Sequence, residues 1–199
     1  MSAPNPINVA SITVAILAGG EGRRLGGLDK GLQPICGKPM IAHVIDALAG
    51  QYGELIICAN RNEDEYARFA TVSRDDVPGF RGPLAGIATA LLHCRTPWLL
   101  TASVDAPRPP RHLAARLIAA RDGIRPVVAN DGVRRQPLFA LYSRDLATAA
   151  RDALDRNLAV WRWQDELDAI EVDFSDEPER FRNLNTPEDF AQWEQLHRE

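Results

Sequence analysis

Glycines and cations follow an apolar run in the segment LAGGEGRRLGGLDKGL, residues 17–32, and this combination suits phosphate chemistry. The cations are Arg23, Arg24 and Lys30. Successive backbone N–H groups can turn toward an anion, and Arg and Lys side chains neutralise phosphate charge. Because glycine lacks a Cβ, a base or ribose can pack against bare backbone at the start of the segment. The residues predicted to form that cradle are Leu17, Ala18, Gly19 and Gly20.

Two familiar phosphate-binding loops do not match this segment. The Walker pattern G-x-x-x-x-G-K-[ST] requires a hydroxyl residue after its lysine, but Gly31 follows Lys30. The dinucleotide fingerprint G-x-G-x-x-G requires a helix directly after the loop, and the glycines from Gly20 to Gly26 miss its spacing by one residue. Four glycines and two prolines in residues 26–39 also exclude a helix there. A long phosphate-binding loop and an incidental basic surface loop remain as interpretations.

Acidic residues stand at two further positions, one of which follows a strand-length run. Asp105 follows the apolar run WLLTASV and precedes Pro107, while Asp75 and Asp76 stand shortly before GPLAGI. A carboxylate at a strand tip can hold Mg²⁺ against triphosphate oxygens, but an Asp there can equally cap a turn before proline. Position alone does not decide between these roles for Asp105. The Asp75–Asp76 pair by itself is typical of a turn.

Strand-length apolar runs alternate with helical patterns along the chain, which predicts a three-layer α/β/α, Rossmann-like fold with a mostly parallel sheet. A late antiparallel hairpin is expected around Asp131-Gly132. Thr186 and Asp189 predict a capped start for the last helix. The predicted strands are residues 12–17, 55–59, 98–104, 126–130, 136–142 and 169–174. The predicted helices are residues 40–48, 64–70, 82–94, 111–120, 144–154 and 186–197. Ligands of such sheets bind beyond the carboxyl ends of the strands, where residues 17–32 begin.

Length and composition set the remaining bounds. The 199 residues suit a single domain, predicted over residues 11–199, after a disordered lead-in at residues 1–10. A formal net charge of −4 does not indicate a nucleic-acid groove, and no apolar run reaches the length of about 20 residues that a membrane span requires. Cys36, Cys58 and Cys94 form no C-x-x-C pair, which favours reduced thiols. A cytoplasmic protein that binds neither nucleic acid nor membrane is expected.

A resemblance to a known family joins these features. The pattern LAGG-x-x-x-R-[ML]-G-x-x-D-K-x-L, followed by GKPMIAHVIDAL, resembles the signature of GTP-dependent molybdenum cofactor guanylyltransferases. These belong to the wider Rossmann-like nucleotidyltransferases. The pieces CANR, DDVPGFRGPLAGI, SVDAP, DGVRRQPLFALY and NLNTPEDF occur in the order that the family shows, along nearly the whole chain.

The resemblance implies transfer of GMP from GTP to the terminal phosphate of molybdenum-molybdopterin, with pyrophosphate as the second product. It implies Mg²⁺ as cofactor, with Asp105 as its ligand. Transient contacts with molybdenum-insertion proteins and apo-molybdoenzymes are expected from it. The implied catalytic residues are Arg24, Lys30 and Asp105. The implied nucleotide-binding residues are Leu17, Ala18, Gly19, Gly20, Arg23, Lys30, Asp75 and Asp105. The implied substrate-binding residues are Arg135, Asn183 and Asn185.

Departures from the family pattern leave alternatives open. Cys58 takes a place often held by Asn or another small residue, and Val104 rather than Cys precedes the strand-end acid. A CTP-dependent cytidylyltransferase is the nearest alternative, but such relatives tend to lack the Asp of the Asp29-Lys30 pair. A sugar-1-phosphate nucleotidyltransferase is usually longer. A non-catalytic pterin carrier would have no need for a metal-binding acid or for Lys30.

Overall fold

The computed structural model describes residues 8–20, 28–76 and 82–197. Within these ranges the chain forms nine strands and seven helices. The strands are β1 Ile12–Leu17, β2 Pro34–Ile35, β3 Lys38–Pro39, β4 Glu54–Cys58, β5 Thr71–Ser73, β6 Trp98–Ser103, β7 Val127–Asn130, β8 Arg135–Ser143 and β9 Ile170–Asp173. The helices are α1 Met40–Leu48, α2 Glu63–Tyr66, α3 Pro83–His93, α4 Leu113–Ala119, α5 Ala147–Asp155, α6 Val160–Glu166 and α7 Pro187–His197.

Seven of these strands form one sheet in the order β5-β4-β1-β6-β8-β7-β9. Strand β1 pairs in parallel with β4 and β6, as do β4 with β5 and β7 with β9. Strand β8 is antiparallel to both β6 and β7. The mostly parallel sheet and its late antiparallel hairpin are therefore confirmed.

Two apolar cores lie on opposite faces of the sheet, because successive side chains of a strand point to opposite faces. Val14 and Ile16 of β1 join the core that contains α1 and α4. Ala15 and Leu17 join the core that contains α3, α5 and α6. The sheet is thus the middle of three layers, as predicted.

Parallel pairing brings three strand ends to one edge of the sheet. Leu17 of β1 is the register partner of Cys58 in β4 and of Ser103 in β6. The chain that follows each of these strands therefore leaves the sheet at the same edge. This places Gly19 and Gly20, the Asn60–Arg61 segment and Asp105 near one another.

Short elements account for most differences from the sequence predictions. Strand β5, the β2–β3 pair and helix α6 were not predicted, since two to seven residues give too little periodicity to recognise. The β2–β3 turn uses Cys36 and Gly37, both with positive φ. Helix α2 covers Glu63–Tyr66 rather than residues 64–70.

The last helix is fixed by the predicted capping box. Asp189 N donates to Thr186 Oγ1 at 3.2 Å, and Thr186 N donates to Asp189 Oδ2 at 3.0 Å. Phe190 and Trp193 of this helix pack on the small core of Ile35, Met40 and Leu184. This packing holds the segment before α7 against the rest of the chain.

The chain's beginning is described from residue 8 onward. Asn8 caps a 3₁₀ turn at Val9–Ser11, so part of the predicted lead-in 1–10 adjoins β1 as ordered backbone. Residues 1–7 lie outside the described residues. The division into a lead-in and one domain at 11–199 stays a prediction.

Candidate active site

A cleft of about 320 Å³ opens at the carboxyl edge of the parallel strands. It lies where ligands are expected in sheets of this kind. Leu138 of β8 contributes one side of it. The other described lining residues are Leu17, Gly19, Gly20, Cys58, Asp75, Gly82, Pro83, Gly86, Ser103, Val104 and Asp105.

Lys30, Asp105 and Asn185 meet beside this cleft, although they are far apart in sequence. Lys30 Nζ donates to Asp105 Oδ2 at 3.1 Å and to Asn185 Oδ1 at 2.5 Å. The side chains of Lys30 and Asp105 are 16% and 31% exposed, so both remain accessible to a ligand. Leu184 N donates to the Asp105 carbonyl, which joins the segment before α7 to the end of β6. A cation and a carboxylate are therefore held together at one strand tip.

Asp29 lies directly before this lysine and is buried, with 8% of its surface exposed. Its Oδ1 accepts hydrogen bonds from Tyr66 Oη at 2.6 Å and from Gly31 N at 3.2 Å. Its Oδ2 accepts from Asn62 Nδ2 at 2.9 Å and lies 3.5 Å from Arg61 Nε. Burial and the Asp29 hydrogen bond raise the pKa of Tyr66, which keeps the phenol protonated as a donor. The carboxylate that distinguishes the Asp29-Lys30 pair in sequence is thus turned inward.

Glycines form the opposite wall of the cleft. Gly82, the N-cap residue directly before α3, has φ +76°, a conformation that favours glycine. A Cβ at Gly86 would lie 3.3 Å from Leu17 Cδ2 and 3.4 Å from Cys58 Cβ. Nothing stands within 4 Å of a Cβ built on Gly20, so that residue faces open space. This wall leaves room for a flat group to approach the backbone.

Asp75 stands at the edge of the same wall and is held by Asn60. Asn60 Nδ2 donates to Asp75 Oδ2 at 2.6 Å, and Asp75 N donates to Asn60 Oδ1 at 2.9 Å. Burial raises the pKa of the Asp75 carboxyl, and the hydrogen bond from Asn60 opposes that rise. Burial, with a smaller contribution from Asp75, raises the pKa of the Cys58 thiol to about 12. Cys58 is therefore a neutral part of the cleft floor at physiological pH.

Other predicted site residues are not among those that line the cleft, or lie outside the described residues. Arg135 Nη1 donates to Asp165 Oδ1 at 2.5 Å and its Nη2 donates to Glu171 Oε1 at 2.7 Å, so its guanidinium holds α6 and β9. Asn183 is exposed. Arg23 and Arg24 lie outside the described residues.

Comparison with known proteins places the chain in a family. Residues 14–170 match the family model described as the MobA-like NTP transferase domain. The molybdenum cofactor guanylyltransferase of Vibrio cholerae is 41% identical over 187 residues, which cover 92% of this chain and 91% of that protein. The molybdenum cofactor guanylyltransferase of Shewanella sp. strain MR-4 is 43% identical over 183 residues, which cover 89% of this chain and 92% of that protein. This chain belongs to the molybdenum cofactor guanylyltransferase family.

Solved structures confirm the nucleotidyltransferase fold of this family member. Molybdopterin-guanine dinucleotide biosynthesis protein A from Archaeoglobus fulgidus superposes with a TM-score of 0.77 at 24% identity, covering 92% of this chain and 97% of that one. The 2-C-methyl-D-erythritol 4-phosphate cytidylyltransferase of Thermus thermophilus superposes with a TM-score of 0.69 at 16% identity, covering 93% of this chain and 98% of that one. These two structures show the fold; the family model and the guanylyltransferase relatives show that the chain is a nucleotidyltransferase.

The donor set of this nucleotidyltransferase fits a metal ion that is shared with substrate. Within residues 8–20, 28–76 and 82–197, no group of three His, Cys, Asp or Glu residues could hold an ion alone. Mg²⁺ is usually bound by one or two carboxylates together with substrate phosphates and water. Asp105, accessible at the end of β6, supplies such a carboxylate.

The described helices include none long and apolar enough to cross a bilayer.

The residues that support the site were not recognised from sequence. Tyr66 and Asn62 hold Asp29, and Asn60 holds Asp75. Asn60 belongs to the CANR piece, whose polar residues directly follow β4. The sequence signal that could have identified Asn60 is its position among polar residues directly after a strand whose end faces the cleft.

Proposed function

We propose that this chain transfers GMP from GTP to the terminal phosphate of molybdenum-molybdopterin, which forms the guanine dinucleotide cofactor and pyrophosphate. The observation that carries the proposal is the Lys30–Asp105 pair at the tip of β6, beside a glycine-walled cleft. Relatives about 41% identical over most of the chain carry the corresponding name. The proposed place of action is the cytoplasm.

The base and ribose would occupy the glycine side of the cleft. Backbone groups from Leu17 to Gly20 would contact them, and the side chain of Asp75 would accept hydrogen bonds there. Guanine carries N1–H and N2–H₂ donors that suit a carboxylate acceptor. Asn60 would hold Asp75 in place for this contact through its two hydrogen bonds.

The triphosphate would extend toward the Lys30 side of the cleft. Lys30 would donate to phosphate oxygens, together with Arg23 and Arg24 from the predicted loop. Asp105 would hold Mg²⁺, which when bound supplies positive charge to the triphosphate. Lys30 already contacts Asp105, so both groups would act on the same phosphates.

Transfer itself requires positioning more than proton movement. An oxygen of the acceptor phosphate forms a bond to the α-phosphorus of GTP, and the bond from that phosphorus to the bridging oxygen breaks. Pyrophosphate leaves with the electron pair. Because the acceptor oxygen is already an anion, no general base is needed. Lys30 would stabilise charge on the leaving group.

The acceptor would approach from the side of the segment before α7. Asn185 lies against Lys30, and Asn183 is exposed two residues before it. Arg135 would be a further contact of the acceptor, and it would have to release Asp165 or Glu171 to bind a phosphate. The product would then pass to the expected partners, which are molybdenum-insertion proteins and apo-molybdoenzymes.

A thermal shift series with Mg²⁺ and each nucleoside triphosphate tests the nucleotide. GTP at about 100 times its Kd should stabilise the chain by roughly 2.7 kcal/mol, or about 5–10 °C in Tm. ATP and CTP should give clearly smaller shifts. Selective stabilisation by CTP would replace the guanine assignment with the cytidylyl alternative, and no shift with any nucleotide would favour a carrier.

A further inference from the structure

Asp29 holds the 3₁₀ turn that carries Lys30 through its side chain and through its carbonyl oxygen. Asp29 is the N-cap of this turn, Lys30–Leu32, and its side chain accepts from Gly31 N. Its carbonyl oxygen accepts from Leu32 N at 3.2 Å and from Gln33 Nε2 at 3.3 Å. The backbone of Lys30 therefore sits within a turn that Asp29 holds with both its side chain and its carbonyl oxygen.

Donors from another part of the chain satisfy the buried carboxylate of Asp29. The Tyr66 hydroxyl and the Asn62 amide donate to it, and the Arg61 guanidinium forms an ion pair with it at 3.5 Å. All three residues come from the segment after β4. A buried carboxylate is costly unless charged or polar donors compensate it. Removing one of these donors would therefore disturb the Lys30 turn rather than only a surface contact.

Packing joins the same turn to the strand that carries Asp105. A Cβ built on Gly31 would lie 2.2 Å from Tyr66 Oη and 3.1 Å from Val104 Cγ2, so the turn fits tightly between them. Val104 directly precedes Asp105. Lys30 and Asp105 are 75 residues apart in sequence, and this close contact sets their relative position.

We propose that Asp29, held by Asn62 and Tyr66, is a positioning residue that places the Lys30 ammonium at Asp105 and so acts on phosphoryl transfer, not on the choice of base. The inference rests on the proposed GMP transfer. Asp29 is absent from the described residues that line the cleft, where a group that contacts the base would stand. A role only in fold stability is the competing explanation.

The sequence offers a direct probe of lysine position, because its two lysines are Lys30 and Lys38. Their side chains are 16% and 56% exposed. Mass spectrometry after brief acetylation gives the ratio of Lys30 to Lys38 modification, with Lys38 as internal reference. This readout needs neither substrate nor activity.

Tyr66→Phe is the mildest variant, because it removes the donor to Asp29 and keeps the ring. Tyr142→Phe is its matched control, since Tyr142 is also fully buried and its hydroxyl accepts from Gln164 at 2.6 Å. Tyr66→Phe should raise the Lys30/Lys38 ratio several-fold, and Tyr142→Phe should leave it unchanged. Asp29→Asn should raise the ratio further.

Kinetic measurements separate the positioning role of Asp29 from a role only in fold stability and from a role in the choice of base. Tyr66→Phe should lower kcat by about tenfold while KM for GTP changes less than about twofold. Asp29→Asn should lower kcat by about 100-fold and keep the preference for GTP over CTP. Tyr142→Phe should keep kcat even if its Tm falls as much as that of Tyr66→Phe.

Three results would overturn the inference. An unchanged acetylation ratio in both Tyr66→Phe and Asp29→Asn would show that Lys30 does not depend on them. Equal kcat losses in Tyr66→Phe and Tyr142→Phe would assign Asp29 to fold stability. Normal kcat with relaxed use of CTP in Asp29→Asn would assign it to the base. If the variants change the acetylation ratio but the wild-type protein does not transfer GMP, the proposed function is refuted. The conclusion that Asp29 positions Lys30 would still stand.

Discussion

The Lys30 turn and the β7–β8 hairpin both carry a cation close after a glycine, yet the fold gives the two cations different partners. Lys30 contacts Asp105, whose carboxylate lines the cleft, and Asn185 beside it. Arg135 binds Asp165 of α6 and Glu171 of β9, which join elements of the scaffold. The comparison teaches that a cation after a glycine can meet either a cleft-lining acid or acids of the scaffold, and that the local sequence does not distinguish the two.

The largest effect on catalysis is expected from replacing Asp105, the acid that contacts Lys30. Asp105→Ala removes the proposed Mg²⁺ ligand and should lower kcat by about 1,000-fold or more, because a metal contributes several kcal/mol to charge stabilisation. Steady-state assays at saturating Mg²⁺ would measure this. The circular dichroism spectrum should be unchanged. A variant with normal Mg²⁺-dependent turnover would contradict the assignment.

Direct replacement of the two cations is the sharpest form of the comparison. Lys30→Ala should lower kcat by about 100-fold, the scale of a lost donor to transition-state charge. Arg135→Ala should raise KM for the acceptor by about threefold and leave kcat unchanged, since an exposed ion contact contributes little. Equal kcat losses in the two variants would show that the hairpin cation also acts on the reacting phosphates.

On the glycine side, two adjacent acids provide a matched pair. Asp75 lines the cleft and is partly buried, whereas Asp76 is exposed. Asp75→Asn should raise KM for GTP by about tenfold through loss of a charged acceptor. Asp76→Asn should change KM by less than about twofold, as for most surface substitutions. If Asp76→Asn had the larger effect, the nucleotide-contacting acid would have to be reassigned.

The smallest effect concerns the helix start that holds Asn185 near Lys30. The N–H of Asn185, with the N–H and hydroxyl of Thr186, lowers the pKa of Asp189 below its ordinary value of 3.8. This stabilisation is present above that ordinary value and is lost as pH falls through the lowered one. Asp189→Asn should therefore lower Tm by roughly 1–3 °C at pH 7. The difference from wild type should shrink as pH falls below 3.8 and disappear once the Asp189 carboxyl is protonated in the folded chain; a difference that persisted after that protonation would contradict this origin.

Elements with strong periodicity or capping were predictable from the sequence. Strand β1 and helix α1 have the bounds that their apolar patterns predict, and Thr186 and Asp189 form the predicted capping box. The parallel arrangement of β1, β4 and β6 also placed Asp105 at the correct edge. Such features depend on local sequence and on general rules of strand connection.

The partners of individual polar side chains were not predictable in the same way. The orientation of Asp29 depends on Tyr66 and Asn62, which lie more than 30 residues away. Asn185 was predicted as an acceptor ligand and is found against Lys30, 155 residues away. Contacts of this kind follow from tertiary packing, which no local pattern encodes. The predicted acceptor-binding role of Asn183, Asn185 and Arg135 stays a prediction.

The most direct measurement incubates the chain with molybdenum-molybdopterin, Mg²⁺ and an equal mixture of GTP and CTP. Mass spectrometry identifies the dinucleotide, and a coupled assay measures pyrophosphate. The account predicts the guanine dinucleotide with one pyrophosphate per product, and none with Asp105→Ala. Formation of the cytosine dinucleotide, or binding of the pterin without release of pyrophosphate, would contradict it.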